Sequence, residues 1–191
     1  MISASQIRSG MAIRYQDQPY KVMVADYHPG QGKMGGVNHL RLKNLDTQTV
    51  WEHSFRADLK IEELEVQRQA LEFLYSDGDT CFFMNPESYE QVEVDSAVIG
   101  GRTTFLQQGM AIPVEFVEGR PVSVVFPDFV EIQVAETMPP AHGQTDSTWK
   151  PARLSNGVEV MVPLFVKSGD TIRLNLEEMK YMDRVKAKAA G

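Results

Sequence analysis

Residues 19–43 read PYKVMVADYHPGQGKMGGVNHLRLK, two alternating segments on either side of a glycine-rich turn. Alternation of apolar and polar residues is typical of strands that bury one face, so segments 19–27 and 37–43 predict a β-hairpin with the turn at its tip. Glycine adopts backbone conformations that other residues avoid and adds little bulk. We therefore interpret Lys33, at the crown of the turn, as a probe that can extend into a narrow crevice.

The turn has an alternative interpretation, in which Lys33 is an ordinary solvated charge on an exposed hairpin. A phosphate-binding loop is disfavoured, because the Gly-x-x-x-x-Gly-Lys-Ser/Thr spacing is absent and Met34 stands where a hydroxyl would be needed. The candidate functional loop consists of Pro29, Gly30, Gln31, Gly32, Lys33, Met34, Gly35 and Gly36.

The composition is that of a soluble globular protein, with 42% hydrophobic and 24% charged residues in a chain of 191. No apolar run approaches the length of a membrane span, and the first residues lack the apolar core of a secretory signal. The single cysteine, Cys81, lies in an apolar run and is interpreted as a packing residue. We therefore expect a cytoplasmic protein with no membrane partner.

The net charge of −7 is unevenly distributed along the chain. Residues 1–63 carry a net charge of +1, residues 64–127 carry −7, and residues 128–191 carry −1. Phosphate binding needs local Lys and Arg, so we expect the two ends to contact RNA. The acidic middle is repelled by phosphate or faces a basic protein.

These three blocks coincide with segments of short alternating runs bounded by turns, and they predict an all-β chain of three small domains. We predict an SH3-like, KOW-type barrel over 1–63, an acidic OB-type barrel over 64–127 and a C-terminal OB-fold barrel over 128–191. A short helix is expected around 94–100. Four aromatic residues are interpreted as core or cross-strand packing: Tyr15, Phe55, Phe165 and Tyr181.

No catalytic or metal-binding constellation is recognisable in the sequence. The histidines are isolated, and neither Cys-x-x-Cys nor His-Glu-x-x-His occurs. The acidic pairs Glu62-Glu63 and Glu177-Glu178 would face opposite sides of a strand. We therefore expect no metal, no cofactor and no enzymatic activity.

Several segments resemble bacterial elongation factor P, a relative of initiation factor 5A, over nearly the whole chain. The matching segments are IRSGM at 7–11, PYKV at 19–22, LYSDGD at 74–79, KPARLSNG at 150–157, VPLFV at 162–166 and SGDTIR at 168–173. The resemblance implies three barrels in an L shape that mimics tRNA. It also implies a monomer that binds the ribosome between the peptidyl and exit sites and relieves stalls at consecutive prolines. In that family the first-domain loop orders the end of the peptidyl-tRNA, which favours productive attack by positioning.

The resemblance also assigns the loop tip. The usual family loop reads Pro-Gly-Lys-Gly, whereas this chain has Pro-Gly-Gln-Gly at 29–32. Ungapped alignment from Leu42 and Thr47 back places Lys33, not Gln31, on the family's functional lysine. The resemblance implies a lysine-modifying enzyme as a partner. The longer loop and Met34 depart from the pattern that such an enzyme recognises.

The RNA-binding candidates lie in the first and third domains. The cations are Arg41, Lys43, Arg153, Arg173, Arg184 and Lys186. The turn Gly143-Gln144-Thr145 stands where relatives carry a Gly-Asp-Thr turn that approaches the exit-site mRNA codon, and its alternative interpretation is a surface loop without a role. Two other functions stay open: an elongation factor P-like paralogue with a different stall preference, and a single-strand RNA chaperone, which would need basic grooves interleaved with aromatic residues.

Overall fold

A computed structural model describes residues 1–32, 35–139 and 148–186 of the chain. Within these ranges the strands form three antiparallel sheets, which confirms the prediction of an all-β protein. The chain divides into two compact units, Met1–Val125 and Phe126–Gly191. The first unit holds two of the sheets and the second holds the third. In the described part of the chain, no helix has the length and apolar character needed to cross a membrane.

The first sheet has the strand order β1-β6-β2-β3-β4-β5. Its strands are β1 Ile2–Ser3, β2 Ala12–Tyr15, β3 Gln18–His28, β4 Val37–Asn44, β5 Val50–Arg56 and β6 Lys60–Leu64, with a short 3-10 helix at Ala4–Gln6. Inward side chains such as Ile13, Val22, Leu42 and Phe55 are almost fully buried and form its core. Apolar burial of this kind stabilises the sheet from one face.

The predicted hairpin is present as β3 and β4, which pair antiparallel from Tyr20↔Asn44 out to His28↔Val37. The strand register shifts between Val22 and Val24, so Met23 is an extra residue in β3. Such a bulge exchanges the faces of the residues beyond it, and Val24 is accordingly exposed where the simple alternation would bury it. The sequence did not predict this bulge.

The second sheet has the strand order β11-β10-β7-β8-β9. Its strands are β7 Val66–Asp77, β8 Thr80–Met84, β9 Gln91–Asp95, β10 Ala111–Val117 and β11 Arg120–Val124. The expected short helix is α1, Ser96–Ile99, and the Asp95 carboxylate caps it by accepting from the Ala97 N–H at 2.8 Å. A 3-10 turn follows at Thr103–Phe105. Cys81 is 1% exposed, which confirms its interpretation as a packing residue.

An apolar cluster joins the first two sheets. It consists of Ala12, Leu45 and Leu64 from the first sheet or its turns and Val117 and Val122 from the second. All five side chains are buried. The two sheets of the first unit therefore share a continuous packed junction.

The third sheet has the strand order β14-β13-β12-β15-β16, and its edge strands β14 and β16 approach each other. Its strands are β12 Phe129–Thr137, β13 Trp149–Leu154, β14 Glu159–Pro163, β15 Thr171–Asn175 and β16 Lys180–Arg184. Val134, Val162 and Leu174 are fully buried between them. The interpretation of Phe165 as a packed residue is wrong: the residue is 52% exposed and lies two positions beyond the end of β14.

Candidate functional site

The loop at 29–36 connects β3 to β4 beyond the last paired residues, His28 and Val37. Pro29, Gly30, Gln31, Gly32 and Gly35 are exposed, as expected for a loop at the end of a hairpin. Lys33 and Met34 lie outside the described residues. The role of Lys33 as the tip therefore stays a prediction.

Gly36 closes the base of the loop through a close approach. A Cβ atom at this position would lie 2.7 Å from the Tyr27 hydroxyl and 2.9 Å from the His28 carbonyl oxygen. The Gly36 carbonyl accepts the Ala57 N–H at 2.8 Å. Only glycine fits at this distance from the opposite strand, so the loop leaves the hairpin in a defined direction.

Polar side chains cover the outer face of β3, β4 and β5 below the loop. Asp26, His39 and Ser54 lie side by side in the strand register. His39 Nδ1 is 2.5 Å from Ser54 Oγ, and His28 Nε2 is 2.9 Å from the Asp26 carboxylate. Asp26, His39 and Ser54 line a hollow of about 680 Å³. Among the described residues, no group of three or more His, Cys, Asp or Glu is arranged to hold a metal ion.

The two candidate cations of the first domain differ in their surroundings. Arg41 is exposed and lies 3.7 Å from Glu52 across the β4–β5 pair. Lys43 is half-buried on β4, opposite Lys21 and Val50, and forms no ion pair with another described residue. An exposed ion pair such as Arg41–Glu52 is weak, so Arg41 can exchange its partner for a phosphate at little cost.

The third-domain cations are partly engaged within their own sheet. Arg173 lies 3.3 Å from Asp183 and its guanidinium is 4.0 Å from the Phe129 ring centroid. Arg184 lies 3.6 Å from Asp170, over the exposed Phe165 ring at 5.2 Å.

Because it pairs with Asp183 and packs on Phe129, Arg173 is more a packing residue of its sheet than a free surface cation. The remaining third-domain cations, Arg153 and Lys186, are exposed and have no ion pair with another described residue. Gly143, Gln144 and Thr145 lie outside the described residues, and their role stays a prediction.

The sequence analysis missed a buried charge cluster at the junction of the first two sheets. Lys21 Nζ donates to Glu115 Oε2 at 2.7 Å and to the Gly10 carbonyl at 2.6 Å. Arg68 donates to Glu115 Oε1 at 2.8 Å, and the Ser123 hydroxyl donates to Glu115 Oε2 at 2.5 Å. Every oxygen of this buried carboxylate thus has a donor, which is what burial of a charge requires.

Opposing effects act on the pKa of Glu115. Burial alone raises it, but the hydrogen bonds from Lys21, Ser123 and Arg68 and the charge of Lys21 together lower the pKa to about 2. The signal for this cluster was present in the sequence. Glu115 interrupts the apolar run AIPVEFV at 111–117, and a charge inside a buried strand needs a partner of opposite sign.

Together these features define a β protein of consecutive small domains that presents a loop at the end of a long hairpin. The chain matches the elongation factor P KOW-like domain at residues 3–61, the elongation factor P OB domain at 66–124 and the elongation factor P C-terminal domain at 130–184. The chain belongs to the elongation factor P family and is therefore a translation elongation factor. The matches confirm the predicted KOW-like first domain and OB-fold second domain.

Relatives named elongation factor P align with this chain along almost their whole length. The protein from Gemmatimonas aurantiaca is 38% identical over 185 residues, which cover 96% of this chain and 98% of that protein. The protein from Clostridium botulinum (strain Hall) is 36% identical over 186 residues, which cover 97% of this chain and all of that protein. Among solved structures, the initiation factor 5A of Methanococcus jannaschii is 16% identical, with a TM-score of 0.49 over 65% of this chain and 92% of that one.

Proposed function

We propose that the chain binds the ribosome between the peptidyl and exit tRNA sites and stimulates peptide-bond formation at consecutive prolines. The observation that supports this most is the loop of residues 29–36, held at the end of the long β3–β4 hairpin with its base packed at Gly36. A loop with this support can reach a confined site and arrive there in a fixed orientation. Membership in the elongation factor P family supports the ribosome as the proposed binding partner.

The proposed mechanism is positioning. Proline holds its nitrogen in a rigid ring and is a poor nucleophile. A contact that aligns the reacting groups of the two tRNAs therefore raises the rate of peptide-bond formation. In the proposal the loop contacts the end of the peptidyl-tRNA and the chain supplies no catalytic group or cofactor. In the proposal it acts as a monomer in the cytoplasm, with domains at 1–63, 64–127 and 128–191.

Lys33 is the proposed tip of the loop and the proposed target of a lysine-modifying enzyme. A lysine amine can be extended by acylation, whereas Gln31 has no amine to modify. Intact-mass measurement of the protein purified from its native source tests this point. A mass above that of the sequence, mapped to Lys33 by peptide sequencing, supports the proposed modification. An unmodified Lys33 would contradict the proposal that a lysine-modifying enzyme is a partner.

The function is tested by translation in a reconstituted system that contains purified ribosomes and this factor. The reporter encodes three consecutive prolines, and a matched reporter encodes three alanines. The wild type should raise full-length product from the proline reporter only, and Lys33→Ala should abolish this effect without altering thermal stability, because an exposed loop supports little packing. Equal activity of Lys33→Ala, together with a defect in Gln31→Ala, would show that the tip has been assigned to the wrong residue.

We also propose that Gly143-Gln144-Thr145 contacts the exit-site codon. The two polar side chains can donate to RNA, and glycine lets the backbone approach it closely. Joint replacement of Gln144 and Thr145 by alanine should weaken binding to stalled ribosomes by about 1–2 kcal/mol and leave the melting temperature unchanged. A lower melting temperature with unchanged binding would make this turn a structural element.

A further inference from the structure

An aromatic cluster in the first domain has no role in the function proposed above. Trp51, His53 and Phe55 alternate along β5 and therefore share one face of the strand. Tyr15 of β2 contacts all three, with ring centroids at 6.0, 6.2 and 4.9 Å. The four rings form one continuous cluster at the β5 edge of the sheet.

Exposure increases along this cluster towards His53. Phe55 is buried and meets His53 edge-on at 4.7 Å, while Trp51 is half-buried. His53 is exposed and stacks on Trp51, with centroids 4.6 Å apart and ring planes inclined by 23°. The contacts with Trp51 and Phe55 therefore fix the orientation of an exposed ring that borders the adjacent hollow.

A hollow of about 450 Å³ opens beside His53, bounded also by Tyr15. This volume falls in the range of about 300–1,000 Å³ that is common for small-ligand pockets. Three charged side chains line its rim: Arg56, Asp58 and Lys60. The rim therefore carries a net positive charge next to the exposed ring.

Both cations have protein partners but can still bind an anion. Arg56 is paired with Asp58 at 2.9 Å, but both side chains are more than two-thirds exposed, so the pair is weak. Lys60 donates to the Ser3 hydroxyl at 2.8 Å, and its ammonium has two further protons to donate.

We propose that this hollow holds one unpaired RNA nucleotide, with its base stacked on His53 and its phosphate bound by Lys60 and Arg56. A flat aromatic face beside cations is the combination by which proteins bind single-stranded nucleic acid without reading its sequence. An acidic peptide would contact the cations but not the rings, whereas an apolar ligand would contact the rings but not the cations. The inference rests on the proposed function only in placing the chain beside RNA.

Trp51 provides the measurement, because its ring lies directly beneath His53. The chain contains two tryptophans, and Trp149→Phe makes Trp51 the only fluorescent indole. In this full-length background, single-stranded octaadenylate is titrated in low salt, and a polyanion without bases, heparin, is titrated in parallel. Octaadenylate should quench Trp51 saturably, since a stacked base extends the ring cluster, and heparin should not.

Matched variants separate stacking from charge. His53→Leu keeps the apolar bulk and should weaken octaadenylate binding about tenfold, whereas His53→Phe keeps a flat ring and should bind as well as the wild type. Replacement of Arg56 and Lys60 by glutamine should lower the slope of log K against log salt by roughly 1. Tyr89→Leu changes an exposed aromatic residue of the second domain, 73% exposed, and should leave binding unchanged.

Each result decides the proposal. Quenching that disappears in His53→Leu and persists in His53→Phe supports it. Absence of quenching, equal quenching by heparin, or equal affinity of His53→Leu and His53→Phe overturns it. The translation assay with Lys33→Ala is independent of these titrations, so a failed nucleotide site leaves the proposed function standing, and the reverse also holds.

Discussion

Lys21 of the first sheet and Glu115 of the second form a buried ion pair, with 2.7 Å between Nζ and Oε2. Lys21 is 8% exposed and Glu115 is 6% exposed. A buried pair is stable only when its remaining hydrogen-bonding capacity is satisfied. Here Gly10, Arg68 and Ser123 provide the additional partners. The pair lies beside the apolar cluster of Ala12, Leu45, Leu64, Val117 and Val122, so charge and packing hold the same junction.

Removal of one partner of this pair should be costly. Glu115→Gln leaves the Lys21 ammonium buried without a counter-charge, and we expect a loss of about 3–5 kcal/mol in the free energy of unfolding, measured with urea. Asp46→Asn is the matched control, because the Arg120–Asp46 pair at 2.7 Å spans the same two sheets but is exposed, and it should cost less than about 1 kcal/mol. Equal effects of the two substitutions would mean that burial does not decide the strength of these pairs.

The double replacement Lys21→Met with Glu115→Met should restore much of the lost stability. Two apolar side chains of similar volume remove both buried charges at once, and such exchanges are often neutral. A double variant less stable than Glu115→Gln would show that the unpaired Lys21 ammonium is not the source of the lost stability.

Acid should weaken the junction in a defined pH range. The pKa of Glu115 is lowered from 4.5 to about 2 in the folded chain. A lowered carboxyl pKa contributes stability above the unfolded value, so this contribution is complete above about pH 4.5 and is lost as the pH falls towards 2. The stability difference between the wild type and Glu115→Gln should therefore shrink by at most about 3 kcal/mol over this range. A difference that is constant from pH 7 to pH 2 would contradict the lowered pKa.

Gly36→Ala should damage the loop. The new methyl group would come within 3.0 Å of the Tyr27 ring and of the His28 carbonyl, and the backbone must move to accept it. We expect a cost of about 1–3 kcal/mol and a reduced response of the proline reporter. Gly35→Ala is the control, because its Cβ would meet no atom within 4 Å. Tyr27→Phe should fail to rescue Gly36→Ala, since the His28 carbonyl remains in the way; rescue would place the whole conflict on the Tyr27 hydroxyl.

The candidate RNA-binding cations should divide into two groups. Joint charge reversal of Lys43, Arg153 and Lys186 should weaken ribosome binding and lower its salt slope by about 1–3, because these side chains form no ion pair with another described residue. Arg173→Ala should instead lower stability by about 1 kcal/mol, since Arg173 packs on Phe129 and pairs with Asp183. An unchanged salt slope after the triple reversal would remove these three residues from the RNA interface.

The sequence was informative where the signal is local. Alternation within 19–43 predicted the β3–β4 hairpin, and the turn residues predicted its loop. The bulge at Met23 was missed because one extra residue changes the faces of a strand without changing its composition. The pairing of Lys21 with Glu115 was missed because the two are 94 residues apart, and local patterns do not indicate which strands meet. Phe165 was misassigned because a ring in an apolar run is as compatible with a strand end as with a core.

The junction between the first two sheets has a consequence for recombination among relatives. Lys21 and Glu115 belong to different family domains, at 3–61 and 66–124. Of the apolar residues in the junction, Ala12 and Leu45 belong to the first domain, Val117 and Val122 belong to the second, and Leu64 lies between the two matched ranges. A chimera that exchanges only the first domain keeps this ion pair only if the donor chain also has a lysine at the position of Lys21. Exchange of both domains together keeps all residues of the junction, so we expect a crossover after Val125, where the first compact unit ends, to leave it intact.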